Sequence, residues 1–172
     1  LITLSIVAKF AVIILTTEVF HSFIDIFDIS VYFQYAIQIL SGEVPYVDFP
    51  LEYPQLSLIV IVVPLIFTML THDPSTYLLV HQVFMSVFDI LTTLLVYLIA
   101  LKLSNQKCAF ISGVLSATAF SSAYFVLTKY DAFPTFFLML SLFLYIYRKE
   151  AVGYLSASAG FLAKWFPGLA LP

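Results

Sequence analysis

The run Tyr77–Leu101, YLLVHQVFMSVFDILTTLLVYLIAL, holds 25 residues with one carboxylate, Asp89, and no lysine or arginine. A helix needs about 20 apolar residues to cross the roughly 30 Å hydrocarbon core of a bilayer, so this run predicts a membrane-spanning helix. Comparable runs extend on both sides, at about 2 to 21, 108 to 128, 132 to 147 with its flanks, and 151 to 172. All are expected to be helical, because backbone amides in lipid must be satisfied within their own segment. A shorter run, LSLIVIVVPLIFTML at 56 to 70, carries Pro64 and is expected to dip into the membrane without crossing it.

Composition agrees with a membrane protein. Hydrophobic residues make up 62% of the chain, charged residues only 10%, and the mean hydropathy is +1.06, which excludes a water-soluble globule. A net charge of -3 gives no nucleic-acid footprint, and the single cysteine, Cys108, cannot build a disulfide framework. The first apolar run lacks a basic start and a small-residue cleavage site, so it reads as a span and not as a signal peptide. The chain starts without methionine and stops inside an apolar run, and is expected to be the N-terminal part of a larger module.

Short cytoplasmic loops gather basic residues. Lys102 and Lys107 bracket one such loop, and Arg148 with Lys149 marks the next. The turns TKYDAFP at 128 to 134 and THDPST at 71 to 76 then face the opposite side. The polar segment 21 to 55 joins them there if 56 to 70 is re-entrant.

That segment concentrates Asp25, Asp28, Glu43, Asp48 and Glu52 with Tyr32, Tyr35, Tyr46 and Tyr53. Apolar positions between Ile29 and Leu40 predict an amphipathic helix lying in the membrane interface, closed by Gly42. Asp28 falls at its expected N-cap, where a carboxylate accepts free backbone N–H groups. Among the intramembrane charges, Asp89 and His81 share a helix face and are expected to make helix–helix polar contacts, with Lys164 one partner for Asp89. Lys9 and Glu18 are expected to pair or snorkel, and His21 to be an interfacial residue. Asp131 either caps the following helix or faces the acidic segment. Gly153 to Gly160, rich in small residues, suits close helix packing. One cysteine, three scattered histidines and the Asp25-x-x-Asp28 spacing predict no metal site, and no phosphate-binding glycine loop is present.

Several motifs in order, Asp28 before an amphipathic helix, Gly42-Glu43-Val44-Pro45-Tyr46, Glu52-Tyr53-Pro54, FDILTTLLVY with Asp89, TKYDAFP with Asp131, and GFLAKWFPGLALP with Lys164 and Pro167, resemble the C-type (GT-C) integral-membrane glycosyltransferases. The resemblance runs from about residue 20 to 172. It is strongest to the first mannosyltransferase of GPI-anchor assembly and to polyprenyl-phosphate-mannose-dependent mannosyltransferases of bacteria and archaea. It implies an all-α, polytopic transmembrane bundle with an amphipathic interfacial helix, and a catalytic first extracytoplasmic loop at 21 to 55. It further implies sugar transfer, with inversion and without a cofactor, from a polyprenyl- or dolichyl-phosphate donor to a glycan or lipid acceptor. Eukaryotic relatives carry D-x-D in this loop; here Ile26 stands two positions before Asp28, which leaves Asp28 as the single expected general base. Lys129 and Lys164 are the expected contacts for the leaving phosphate. Asp25, Asp131, Tyr32, Tyr46, Glu52 and Tyr53 are expected to line the substrate groove, and Asp131 to orient the acceptor or tune Lys129. Such an enzyme is a multi-pass protein of a prokaryotic plasma membrane or of the endoplasmic reticulum, bound by lipids, open to an accessory membrane subunit and not to nucleic acid. The competing expectation is a secondary transporter using Asp89, His81 and Lys164. A non-catalytic membrane subunit on the same scaffold is a third, with no positive sign in its favour.

Overall fold

The computed structural model describes residues 1–18, 25–68, 73–119, 124–125 and 128–170. Among them the chain is all-α, with helices α1 (Ile2–Glu18), α2 (Phe27–Leu40), α3 (Ser57–Thr68), α4 (Pro74–Leu103), α5 (Gln106–Thr118), α6 (Ala132–Ile146) and α7 (Glu150–Ala163), then a 3-10 helix at Phe166–Ala170. His21, Thr71 and His72 lie outside the described residues, as does the Glu18 side chain.

The opening run is realised as the longest helix. Pro74 supplies a first-turn residue with φ already set. Asp73 caps the start, its carboxylate accepting from the Thr76 amide and hydroxyl, both at 2.9 Å. These two hydrogen bonds hold the Asp73 carboxyl below its ordinary range. At 30 residues, α4 is the one described helix long and apolar enough to cross a membrane. Two of the other runs, at 108 to 128 and 151 to 172, give shorter helices than their apolar lengths predict. α5 ends when Ala119 turns extended (φ -60°, ψ 115°). The last run breaks at Lys164, which is fully extended (φ -157°, ψ 146°), because Pro167 has no N–H to donate back to Ala163 and its ring would meet that carbonyl. Asn105 caps α5 by accepting from the Cys108 amide at 3.0 Å.

α4 packs against both α5 and α6, running parallel to α6, and α6 packs against α7. Phe88 meets Phe133 edge-on at 4.8 Å, and the Lys102 ammonium lies 5.3 Å from the Tyr147 ring. Lys102, Tyr147, Arg148 and Lys149 therefore share one end. The start of α6 and the end of α7 share the other, about 22 Å away along the 15 residues of α6. Small residues bring α7 close to α6: Ser156 donates to the Phe137 carbonyl at 2.8 Å, and a Cβ on Gly160 would sit 3.2 Å from Phe137 Cβ.

α1 is fixed against α4 and α5 by a buried ion pair. Lys9 Nζ lies 2.8 Å from Asp89 Oδ2 and 3.4 Å from the Ala117 carbonyl. Asp89 thus pairs with Lys9, and not with Lys164 as the sequence suggested; Lys9 reaches it from α1, while Lys164, at the end of α7, is engaged by Asp131.

α3 continues through Pro64 but stays at the end away from the basic residues. Leu56 donates its amide to Leu162 at the close of α7 (2.8 Å), and Tyr77, at the start of α4, donates its hydroxyl to the Ile61 carbonyl (3.0 Å). At 12 residues it is about 18 Å long, shorter than a hydrocarbon core. The segment 25 to 55 and the start of α6 accordingly meet at the same end of the bundle, the arrangement that the re-entrant expectation requires.

Candidate functional site

α2 lies across this end. Ile29, Tyr32 and Ala36, spaced along one face, are its buried residues, while Phe27, Ser30, Gln34 and Leu40 are exposed. It stops where Gly42 turns to φ +95°. The Gly42 amide then reaches the Ile39 carbonyl (3.1 Å) and the Glu43 amide reaches Gln38 (3.1 Å), the paired bonds of a Schellman close. The helix begins at Phe27 with Ile26 at the N-cap, so Asp28 is inside the first turn and does not cap. Asp25 takes the local role, accepting from the Phe27 amide at 2.9 Å. The expected N-cap is displaced because Asp28 has a stronger partner elsewhere.

That partner is Lys129, whose ammonium donates to Asp28 Oδ2 at 2.7 Å across 101 residues of sequence. The two side chains remain 23% and 26% exposed, so the pair sits at a wet margin and not in the core. Burial pushes the Lys129 amine down, but the hydrogen bond and charge of Asp28, aided by Asp25, more than offset this and hold it above its ordinary value. Two residues on, Asp131 accepts from Lys164 at 2.6 Å, with both side chains 30% exposed. Asp131 occupies the N-cap position of α6 without a capping bond, and its partner is Lys164, not Lys129.

Between these pairs lies Tyr130, fully buried. Its hydroxyl donates to the Ala163 carbonyl at 3.2 Å, and the Lys164 ammonium stands 4.9 Å from its ring centroid. Tyr32 and Tyr53 meet it edge-on at 5.4 and 5.3 Å. Sequence reasoning did not single out Tyr130; its position between Lys129 and Asp131 was the available signal. Burial raises the Tyr32 and Tyr130 phenols well above their ordinary range, with the neighbouring phenols and Asp28 pushing them in the same direction, and burial also raises the Tyr53 phenol.

The expected substrate residues divide accordingly. Tyr32 is 1% exposed and packs on Tyr53, Tyr130 and His81, so it is a core residue with no face free for a sugar. Tyr53 is half-buried beside the ion pairs. Tyr46, at φ +67°, is exposed and donates to the Tyr53 carbonyl at 2.7 Å, which makes it a brace for that loop. Glu52 and Asp25 are exposed. Beside the first turns of α2 a cavity of about 370 Å³ opens between α2 and the start of α4, lined by Ile29, Phe33, Tyr77 and Leu78 with Ser30 and Gln34 as polar points. Among the described residues no three metal-binding side chains come together.

The arrangement holds two carboxylates and two ammonium groups in paired form, next to an aromatic floor and an apolar cavity. Chemically it can supply a base, two cations and an entry for a largely hydrocarbon ligand. Comparison with protein-family models, with curated proteins and with solved structures finds no match to this chain.

Proposed function

We propose that this chain carries the catalytic loop of a polytopic membrane glycosyltransferase of the GT-C type, which moves a sugar, mannose by preference, from a polyprenyl- or dolichyl-phosphate donor to a glycan or lipid acceptor. The observation that carries this reading is the Asp28–Lys129 contact, a carboxylate and an ammonium 2.7 Å apart at the margin of an apolar helical bundle. Large apolar side chains on outer helix faces support a lipid setting, among them Val7, Phe10, Leu115 and Leu155, each more than half exposed.

Transfer with inversion needs a base and a stabilised leaving group. The acceptor oxygen attacks the anomeric carbon, its proton passes to Asp28, and the anomeric carbon–oxygen bond to phosphate breaks with the electron pair leaving on phosphate. No acid is needed for that departure, and Lys129, with Lys164 one residue-pair away, supplies positive charge for it. The cavity beside α2 is apolar enough for the first units of an isoprenoid chain. The transporter reading has one observation in its favour, the buried Lys9–Asp89 pair. That pair is held by the Ala117 carbonyl between three helices and is fully used in joining them.

The test is incorporation of labelled sugar in membranes containing the protein, with polyprenyl-phosphate sugar, nucleotide sugar or free sugar supplied in parallel. Incorporation from the polyprenyl-phosphate donor alone supports the reading. Accumulation of unmodified sugar inside sealed vesicles supports the transporter.

A further inference from the structure

In the structure the base and the leaving-group cation occupy each other. Lys129 and Asp28 are hydrogen-bonded at 2.7 Å, while Asp131 engages Lys164 at 2.6 Å, so each cation of the site starts with a carboxylate partner. Both groups of the first pair keep about a quarter of their side-chain surface open, so an incoming anion has access to Lys129.

Charge bookkeeping through the reaction shows what the pair would do. A sugar-phosphate donor carries one negative charge as a phosphodiester, and its product, a phosphate monoester, carries between one and two at neutral pH. Over the same step Asp28 gains the acceptor proton and goes from negative to neutral. One negative charge thus leaves the carboxylate as one develops on phosphate. A cation able to reach both would stabilise the step without net separation of charge.

We propose that Lys129 is that shared cation, handed from Asp28 to the departing phosphate as Asp28 takes the proton. The oxygen–carbon bond to the acceptor forms, the carbon–oxygen bond to phosphate breaks, the proton moves from acceptor hydroxyl to Asp28, and the ammonium stays protonated throughout. The burial-opposing effect of Asp28 that holds the Lys129 amine above its ordinary value supports the last point. What the released carboxylate does rests on the transferase reading; the exchange of partners at Lys129 does not.

The exchange makes Asp28 a competitor of phosphate for Lys129, and this is measurable without catalysis. Binding of geranyl phosphate and of inorganic phosphate to the full chain in detergent would be measured by calorimetry for wild type, Asp28→Asn, Asp28→Ala, Asp25→Asn and Lys129→Met. Asp28→Asn imitates the protonated base, so it is expected to bind geranyl phosphate about tenfold more tightly than wild type, with Asp28→Ala changing in the same direction. Asp25→Asn removes a nearby charge that is not the hydrogen-bonding partner and should stay within about twofold, and Lys129→Met should lose most of the affinity. Tighter geranyl phosphate than inorganic phosphate assigns the site to a lipid phosphate; equal affinities assign it to phosphate alone, with the exchange intact. Unchanged affinity in both Asp28 variants, an equal gain in Asp25→Asn, or no binding by any form overturns the proposal. Sugar transfer that persists alongside unchanged affinities would sink the exchange and leave the transferase standing. The predicted affinity pattern without transfer from any donor would do the reverse.

Discussion

At the scale of single residues, a few side chains at one end of the bundle form the proposed site. Asp28 is aimed at Lys129, and Tyr32, Tyr53 and Tyr130 form the floor beneath the pair. The raised phenols give a pH prediction with a fixed sign. A group whose folded value lies above its unfolded one contributes stability that is complete below the unfolded value, here 10.0, and is lost as pH climbs. Spectrophotometric titration of the phenolate band should therefore show tyrosines, Tyr32 and Tyr130 among them, failing to ionise until the protein unfolds in alkali; smooth titration of all eleven near pH 10 would contradict this. The acids and lysines were legible in the sequence because charge is scarce in such a chain and each instance needs a reason. Their partners were not. Which aspartate meets which lysine depends on the levels at which α2, α6 and α7 cross, and local spacing carries no record of that. Asp28 looked like an N-cap for the same reason: the local rule was visible and the long-range competitor, 101 residues away, was not.

At the scale of elements, the ends of helices decide where the site lies. Gly42 at φ +95° closes α2 so that the chain can turn back past Tyr46 and Tyr53. Gly42→Ala has space for its methyl group but must hold a left-handed backbone, so it should cost about 1 to 2 kcal/mol in thermal or denaturant unfolding. The Lys9–Asp89 pair joins α1 to α4 with both side chains almost entirely covered. Lys9→Met or Asp89→Leu alone should destabilise by about 3 to 5 kcal/mol, since each strands a buried charge. The double variant should recover most of that loss, and additive losses would show that the two residues are not coupled. Helix content and the amphipathic α2 followed from hydrophobic pattern. The shortness of α5 and α7 did not, because an apolar run says where a helix is tolerated and Pro167 and the Ala119 turn say where it stops.

At the scale of the whole molecule, two ends of opposite character are separated by an apolar bundle. One carries Lys102, Lys107, Arg148 and Lys149; the other carries the paired acids and lysines of the site. If the bundle spans a membrane, Cys108, exposed beside the basic end, should react with an impermeant maleimide from the cytoplasmic face only. A cysteine placed at Val47, which is 78% exposed in the segment at the other end, with Cys108 replaced by serine, should react from the opposite face only. Labelling of both from one face would overturn the arrangement. The alternation of ends was legible from four basic residues, while the expectation that α3 is re-entrant rested on its length and on Pro64. Its contacts with Leu162 and Tyr77 supply the geometry that those signals could not.

The most direct measurement is transfer of labelled mannose from polyprenyl-phosphate mannose in membranes containing the protein or its Asp28→Asn variant, expressed to equal levels. Loss of the base should lower the rate by about 10² to 10⁴-fold while leaving the helical circular-dichroism spectrum unchanged. Transfer by Asp28→Asn at the wild-type rate would contradict the account.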